Sequence, residues 1–147
     1  MTELAIEQLA DEMEIRNLVA RLAHLADMAE SLDEYLACFT EDAVWSFPGD
    51  DRDGLSESRT EGHEAIRADR LSRRADRFQG PGTHTRHVNT TLAVRVHDHE
   101  TAEAESYWLF VTDTTGEPQV RSIGHYLDRF VHTDEGWKFA SRQITTG

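Results

Sequence analysis

The stretch DMAESLDEYLACFTEDAVW, residues 27–45, contains the change from a helical to an extended pattern on which the fold depends. Ser31 and Asp33 are side chains typical of a helix start, so they predict a short helix that runs through Cys38. Residues 40–47 then alternate in character and include β-branched and aromatic side chains, which predicts a strand. A helix followed closely by a strand is therefore expected early in the chain.

The segments before and after this stretch predict the other elements. Before it, apolar residues recur every three or four positions and predict one stripe of an amphipathic helix; they are Ile15, Leu18, Val19, Leu22, Leu25 and Ala26. After it come a polar loop over residues 48–54 and a third helix over residues 63–78 that ends at a Gly-Pro-Gly sequence. Four later segments are rich in β-branched and aromatic residues and are separated by short turns; they are residues 84–96, 102–112, 119–131 and 137–144. Helices followed by a meander of strands predict one α+β domain over residues 1–147, with helices on one side of a curved antiparallel sheet.

Length, net charge and cysteine content indicate which kinds of partner and which cellular compartment to expect. A length of 147 residues is that of one domain with room for a small cavity. The formal net charge of −13 argues against binding to a phosphate backbone. The apolar stretches are too short to span a bilayer, the N-terminus has no apolar signal core, and a lone cysteine, Cys38, cannot form an internal disulfide. These features predict a cytoplasmic protein that binds neither nucleic acid nor membrane.

The third predicted helix carries a row of arginines beside an apolar stripe. The arginines are Arg67, Arg70, Arg74 and Arg77, and the stripe consists of Ala68, Leu71, Ala75 and Phe78. Acidic residues on the same helix balance the row, which favours a solvated helix face. A subunit contact is the alternative interpretation.

Four strings, in this order, resemble the SnoaL-like branch of the NTF2-like superfamily. Residues 27–45 resemble its helix-helix-strand opening, and TRHVN, residues 85–89, resembles the start of its first long strand. GHYLD, residues 124–128, followed by GWKF, residues 136–139, resembles its closing hairpin. The resemblance covers nearly the whole chain and implies an NTF2-like cone, in which N-terminal helices pack on a strongly curved antiparallel sheet that encloses a pocket. The family includes scytalone dehydratase, bile-acid dehydratases, hexachlorocyclohexane dehydrochlorinase and non-enzymatic binding or assembly subunits, and its members commonly form dimers or trimers.

The same resemblance implies that Asp27 and His87 are catalytic. In the dehydratase and dehydrochlorinase members an aspartate ends the first helix and a histidine opens the first long strand. A neutral imidazole is a competent base near neutral pH, and a carboxylate beside it holds its tautomer and stabilises the imidazolium. The carboxylate is also expected to raise the pKa of His87. The residue pattern alone favours a structural role for both residues, with Asp27 as an ordinary helix-end carboxylate and His87 as a structural strand histidine.

The chain departs from its relatives at the positions of their helper hydroxyls. Leu22, Ala26 and Phe47 stand where the inferred alignment places tyrosines that assist a leaving group or polarise a carbonyl. Candidates to replace them are Tyr107, Asn89 and His125, although the alternation around His125 also fits a half-buried structural histidine. The remaining pocket is expected to be formed by aromatic side chains, which otherwise are core: Trp45, Phe47, Phe78, Tyr107, Trp108 and Phe110. A structural pairing across the last hairpin is predicted for Tyr126, Asp128 and Arg142.

No metal or cofactor site is predicted. The histidines lack metal-ligand spacing except in the exposed turn His97-Asp98-His99, which has no further obvious ligand, and no phosphate or dinucleotide motif occurs. The leading hypothesis is a cofactor-independent lyase or isomerase, with a dehydratase-like elimination on a small hydrophobic cyclic metabolite. One alternative is an epoxide hydrolase or polyketide cyclase in which Asp27 itself transfers protons. The other is a non-catalytic small-molecule binding or assembly domain.

Overall fold

The computed structural model describes residues 2–49 and 56–147, and the elements in them follow the predicted order with one additional strand, Ser58–Glu61. They are α1 (Glu3–Met28), α2 (Asp33–Ala37), β1 (Phe39–Phe47), β2 (Ser58–Glu61), α3 (His63–Ala75), β3 (Arg86–Val96), β4 (Thr101–Thr112), β5 (Gln119–Thr133) and β6 (Gly136–Thr146). The polar loop predicted over residues 48–54 lies outside the described residues from position 50 onward. None of the described helices is both long and apolar enough to cross a membrane.

Helix α1 begins well before its apolar stripe. Thr2 caps it by accepting a hydrogen bond from the backbone N–H of Ala5 at 3.1 Å. The buried face contains the predicted stripe residues, with the exception of the partly buried Leu18, and packs against β3 and β6. The helix ends where Ala29 adopts an extended conformation, so the last turn of α1 points its side chains at the beginning of β3.

The sheet has the strand order β2-β1-β6-β5-β4-β3, and one pair in it corrects the antiparallel prediction. Strand β1 runs parallel to β6, whereas the other neighbours are antiparallel. Hairpin turns impose antiparallel pairing on β3 to β6, but no hairpin joins β1 to β6, so packing of the helices sets the direction of β1. The sequence analysis also missed β2, because SRTE is short and polar and becomes a strand only by pairing with the edge of β1.

Register shifts in four strand pairs bend the sheet around the helices. The concave face carries the apolar core, in which Phe39 contacts Tyr35, Trp45 and Phe139 at ring-centroid distances of 5.3 to 5.7 Å. This aromatic cluster fills the space beneath α1 and α2. The second, smaller cluster of Trp108, Phe110 and Tyr126 leaves space in front of it, and this space becomes the cavity described below.

Candidate active site

An aspartate and a histidine that are 60 positions apart in the chain meet where α1 packs on β3. Asp27 is next to the last residue of α1, and His87 is the second residue of β3. Nδ1 of His87 lies 2.6 Å from Oδ1 of Asp27, and the backbone N–H of His87 donates to Oδ2 at 3.0 Å. Because an ionised carboxylate only accepts hydrogen bonds, Nδ1 is assigned the proton and Nε2 keeps its lone pair.

Burial favours the neutral form of His87. Asp27 is 3% exposed, and the side chain of His87 is 12% exposed. Burial lowers the pKa of His87 below its ordinary value; the hydrogen bond to Asp27 opposes this, whereas the charges of Arg70 and Arg142 reinforce it. The prediction of a raised pKa is therefore wrong, because the cost of desolvating the imidazolium exceeds the attraction of the carboxylate. The ring is neutral near pH ~7, as a base must be.

His87 lines a cavity of about 350 Å³ between α3 and the concave face of the sheet. Its ring lies 5.1 Å from the ring of Phe110, which in turn stacks on Phe78 at 5.1 Å. The rest of the wall combines polar and charged side chains, among them Asp69, Arg70 and Arg73, with apolar and aromatic ones: Trp45, Phe47, Trp108, Tyr126 and Ile144. A volume of this order accommodates a small cyclic compound, and the walls favour a hydrophobic one.

The predicted pocket residues divide between the two faces of the sheet. Trp45, Phe47 and Trp108 line the cavity. Asn89 lies behind it, in a small void shared with His87, and its Nδ2 donates to Oγ of Ser106 at 3.4 Å.

The prediction that Tyr107 and His125 line the pocket is wrong, because both lie on the convex face of the sheet. Tyr107 is 51% exposed and packs 6.0 Å from the ring of His125, whose Nε2 lies 3.4 Å from a carboxylate oxygen of Glu105. Successive side chains of a strand point to opposite faces, so Tyr107 cannot share a face with Trp108. The alternation of side chains along β4 could therefore have shown from the sequence that Tyr107 and Trp108 lie on opposite faces.

Arg70 is the largest departure from the sequence analysis of α3. The buried residues of this helix are Ile66 and Arg70, whereas Leu71, from the predicted apolar stripe, is exposed. Nε of Arg70 donates to Oη of Tyr35 at 2.9 Å, and Nη1 donates to Oε1 of Gln79. The row of arginines is thus not one solvated face, since one of its members extends into the core and lines the cavity.

Tyr126 supplies a hydroxyl that the sequence analysis assigned to structure alone. Arg142 and Asp128 form the predicted pair, with hydrogen bonds of 2.7 and 2.9 Å, and the guanidinium lies 3.7 Å from the centroid of the Tyr126 ring. Tyr126 also lines the cavity beside His87. Burial raises the pKa of Tyr126, although Arg142 opposes the shift, so the phenol stays protonated and can donate a hydrogen bond to a ligand.

Within residues 2–49 and 56–147, one group of side chains has the composition of a metal site, and it lies away from the cavity. Asp11, His99 and His132 place ligand atoms within 4.8 Å of one another. Asp11 is already hydrogen-bonded to Trp137 Nε1 at 2.9 Å and to His99 Nδ1 at 3.1 Å. The group could hold a divalent ion, but Asp11 precedes Asp27 by 16 positions on α1, which is about 24 Å along the helix axis.

Family membership follows from a match that spans most of the chain. A family model described as a SnoaL-like domain matches residues 7–143. The chain belongs to the SnoaL-like domain family. This confirms the resemblance that the four sequence strings carried. No curated protein matches the chain significantly.

Solved structures place this SnoaL-like domain among NTF2-like proteins. An NTF2-like protein with a cystatin-like fold from Novosphingobium aromaticivorans is 22% identical, with a TM-score of 0.76 over 97% of this chain and 85% of that one. A proposed scytalone dehydratase from the same organism is 22% identical, with a TM-score of 0.73 over 97% and 88%. A protein from Catenulispora acidiphila in complex with S-DNPA is 26% identical, with a TM-score of 0.71 over 94% of each chain. These similarities establish the NTF2-like α+β fold.

Proposed function

We propose that this SnoaL-like domain is a cofactor-independent lyase or isomerase that acts on a small hydrophobic cyclic metabolite, with His87 as base and Asp27 as its partner. The observation that carries the proposal is the 2.6 Å contact between Asp27 and His87 Nδ1 at the wall of an apolar cavity. That contact leaves Nε2 as the ring nitrogen available to a substrate. An acid–histidine pair with no ligand-sized space beside it would favour a structural role instead.

The chemistry consists of one proton transfer and one bond cleavage. Nε2 of His87 takes a proton from a ring carbon, and the electron pair of that C–H bond forms a C=C bond to the neighbouring carbon. A hydroxide, halide or alkoxide on the neighbouring carbon departs with its bonding electron pair. Asp27 stabilises the imidazolium, which then gives its proton to the departing group or to water. In an isomerisation the same proton returns to another carbon of the substrate.

The geometry favours His87 over Asp27 as the group that contacts substrate. Both carboxylate oxygens of Asp27 are engaged by His87, and the residues that line the cavity include His87 but not Asp27. The hydrolase or cyclase alternative, in which Asp27 itself transfers protons, would need one of these hydrogen bonds to break. The absence of tyrosines at Leu22, Ala26 and Phe47 argues against a scytalone-type arrangement, and Tyr126 offers a hydroxyl from a different strand.

The relatives lend support of a general kind. One structural neighbour is described as a proposed scytalone dehydratase, and another was solved with the small molecule S-DNPA. Binding of a small organic molecule and elimination chemistry are therefore both compatible with this fold. Neither relative identifies the substrate of this chain.

Proton abstraction can be tested before the substrate is known. Cyclic ketones such as tetralone are incubated with the protein in deuterium oxide, and exchange of the protons next to the carbonyl is followed by NMR. The wild type is expected to accelerate exchange, whereas His87→Ala and Asp27→Asn are expected to lose roughly two orders of magnitude of the rate.

His125→Ala is the matched control, since His125 lies on the convex face and its removal leaves the cavity intact. It should exchange at the wild-type rate. Equal rates in the wild type and His87→Ala would disprove the proposed role of His87. A wild type that binds the ketones without exchanging their protons would support the non-catalytic binding domain.

A further inference from the structure

Arg70 is a buried cation whose partners are neutral. It is 9% exposed, and its hydrogen bonds go to the phenol of Tyr35 and the amide of Gln79. The guanidinium carbon also lies 5.0 and 4.8 Å from the ring centroids of Tyr35 and Trp45. Among the described residues no carboxylate forms an ion pair with it. Arg142, the other buried arginine among residues 2–49 and 56–147, shows the usual arrangement, because Asp128 neutralises it.

The two hydrogen bonds leave donors unused. A guanidinium carries five N–H groups, of which Nε and one on Nη1 are occupied by Tyr35 and Gln79. The N–H groups of Nη2 have no partner among the described residues. Arg70 lines the cavity together with His87, so a molecule in the cavity can reach a side chain held in place by hydrogen bonds and aromatic contacts on its other sides.

We propose that Arg70 forms an anion-binding subsite in the cavity, and that the substrate is a hydrophobic ring compound that places on Nη2 either a carboxylate oxygen or a carbonyl oxygen that becomes an enolate oxygen when the proton is removed. A buried guanidinium without a carboxylate partner gains a charge-assisted hydrogen bond when such an oxygen binds. The claim that the bound molecule is a substrate rests on the proposed function. The claim that Arg70 binds an anion concerns binding alone. It also gives a physical reason for burying Arg70 among neutral groups.

The subsite changes the expected chemistry of His87. Removing a proton next to a carbonyl places negative charge on the carbonyl oxygen, and a fixed cation stabilises that charge where it develops. Arg70 comes from α3 and lines the same cavity as His87, so it can reach the oxygen on which this charge develops. A bound anion would also offset the positive charge of Arg70 that helps to lower the pKa of His87.

Paired probes of equal shape test the subsite. Naphthoate and naphthamide with the same substitution position are titrated into the protein, and binding is followed by the fluorescence of Trp45 and Trp108, which line the cavity. The wild type is expected to bind naphthoate roughly 10- to 100-fold more tightly than naphthamide. Arg70→Met should abolish this preference and change naphthamide affinity less than about threefold.

Arg73→Met is the matched control. Arg73 also lines the cavity, but its side chain is 46% exposed and pairs with Asp69 at 2.8 Å. The preference for naphthoate should survive this substitution. Equal affinities of the wild type for both probes, or an equal loss in the two arginine variants, would overturn the proposal.

Two further measurements keep the test of the subsite decisive if Arg70→Met misfolds or if the proposed function is wrong. If Arg70→Met does not fold, salt dependence in the wild type decides: a buried subsite keeps its preference in high salt, and a preference that collapses with salt would overturn the proposal. His87→Ala should keep the preference for naphthoate. A wild type that prefers naphthoate yet exchanges no ketone protons would refute the proposed function while supporting the subsite.

Discussion

At the scale of single residues, Asp27 acts on two parts of His87. One carboxylate oxygen holds the ring nitrogen, and the other accepts the backbone N–H of the same residue. The hydrogen bond from the backbone N–H positions β3 against the end of α1. The ring of His87 therefore cannot shift relative to Asp27 unless this hydrogen bond breaks. A helix-end carboxylate thereby becomes the group that orients a base.

The direction of the pKa shift of His87 predicts the pH dependence of activity. The neutral ring is the active form, so the rate should fall as pH drops through the pKa of His87. Burial lowers that pKa, with Arg70 and Arg142 reinforcing and Asp27 opposing, which places the acid limb below the ordinary value of ~6.5. The pH profile of kcat/KM for ketone proton exchange measures this limb.

Asp27→Asn should move the same limb to still lower pH, because the variant lacks the one group that raises the pKa. An acid limb above ~6.5 in the wild type would contradict the assignment. The same pKa shift makes the stability of the fold depend on pH. Because the pKa of His87 is lower in the folded chain than in the unfolded chain, the unfolded chain takes up a proton at a higher pH. The free energy of unfolding should therefore decrease as pH falls below ~6.5.

A double substitution tests whether Asp27 and His87 act as a unit. Asp27→Asn and His87→Ala should each reduce turnover by roughly two orders of magnitude, and the double variant should be little worse than either. Urea unfolding is expected to show small changes in stability, since Asn at position 27 can still accept the backbone N–H of His87. Additive losses of turnover would show that the two residues act independently.

At the scale of elements, β5 lies so close to its neighbours that one position excludes any side chain. A Cβ on Gly124 would collide with the backbone carbonyl of Thr145 and with the ring of Trp108. Neither neighbour is the flexible end of a side chain, and Trp108 lines the cavity. The absence of a side chain at Gly124 therefore permits both the strand pairing and the position of a cavity wall.

Gly124→Ala is accordingly expected to reduce the free energy of unfolding by about 1–3 kcal/mol and to weaken naphthamide binding. Urea titration and the fluorescence assay measure the two effects. Gly116→Ala is the control, because a Cβ there would make only an ordinary contact, 4.0 Å from the carbonyl oxygen of Asp113. Equal stability of the two variants would contradict the steric argument.

The separation of Asp11 from Asp27 along α1 predicts the effect of metal removal. The group of Asp11, His99 and His132 lies about 24 Å from Asp27 along the helix axis, and the proposed proton transfer uses no ligand from it. Chelator treatment followed by dialysis should leave ketone proton exchange unchanged, and so should His99→Ala. Loss of exchange on chelation, with recovery on adding zinc, would contradict the metal-free mechanism.

At the scale of the whole molecule, the convex face of the sheet carries an apolar row that crosses three strands. Val88 on β3 pairs with Leu109 on β4, which pairs with Ile123 on β5, and Tyr107 and Leu127 flank the row. Four of these residues are exposed large hydrophobic side chains: Val88, Tyr107, Ile123 and Leu127. A contiguous apolar row on a sheet face is a feature of subunit interfaces.

We expect this face to pair with another copy of the chain, giving a dimer or trimer. Light scattering at micromolar concentration should give a mass above one subunit, and Ile123→Glu should reduce it to that of a monomer. Leu71→Glu introduces the same charge at an equally exposed position on α3 and should leave the mass unchanged. A monomeric wild type would refute this expectation.

The amino-acid sequence alone was enough to predict the order of the helices and of every strand except β2, most of the buried stripe of α1, and the pair of Asp27 and His87. Periodicity shows which residues share a face, because the periods of helix and strand are local properties of the backbone, and the family strings identified Asp27 and His87. The folded structure was needed to show the contact between those two residues, the parallel pairing of β1 with β6, the burial of Arg70 and the position of Tyr107 and His125 on the convex face. Periodicity does not reveal which face of a strand lines the cavity when both faces carry polar and aromatic residues, nor the direction of a strand that no hairpin connects to its neighbour. Those properties depend on packing between segments far apart in the chain, where a polar side chain such as Arg70 can be buried if neighbouring groups satisfy it.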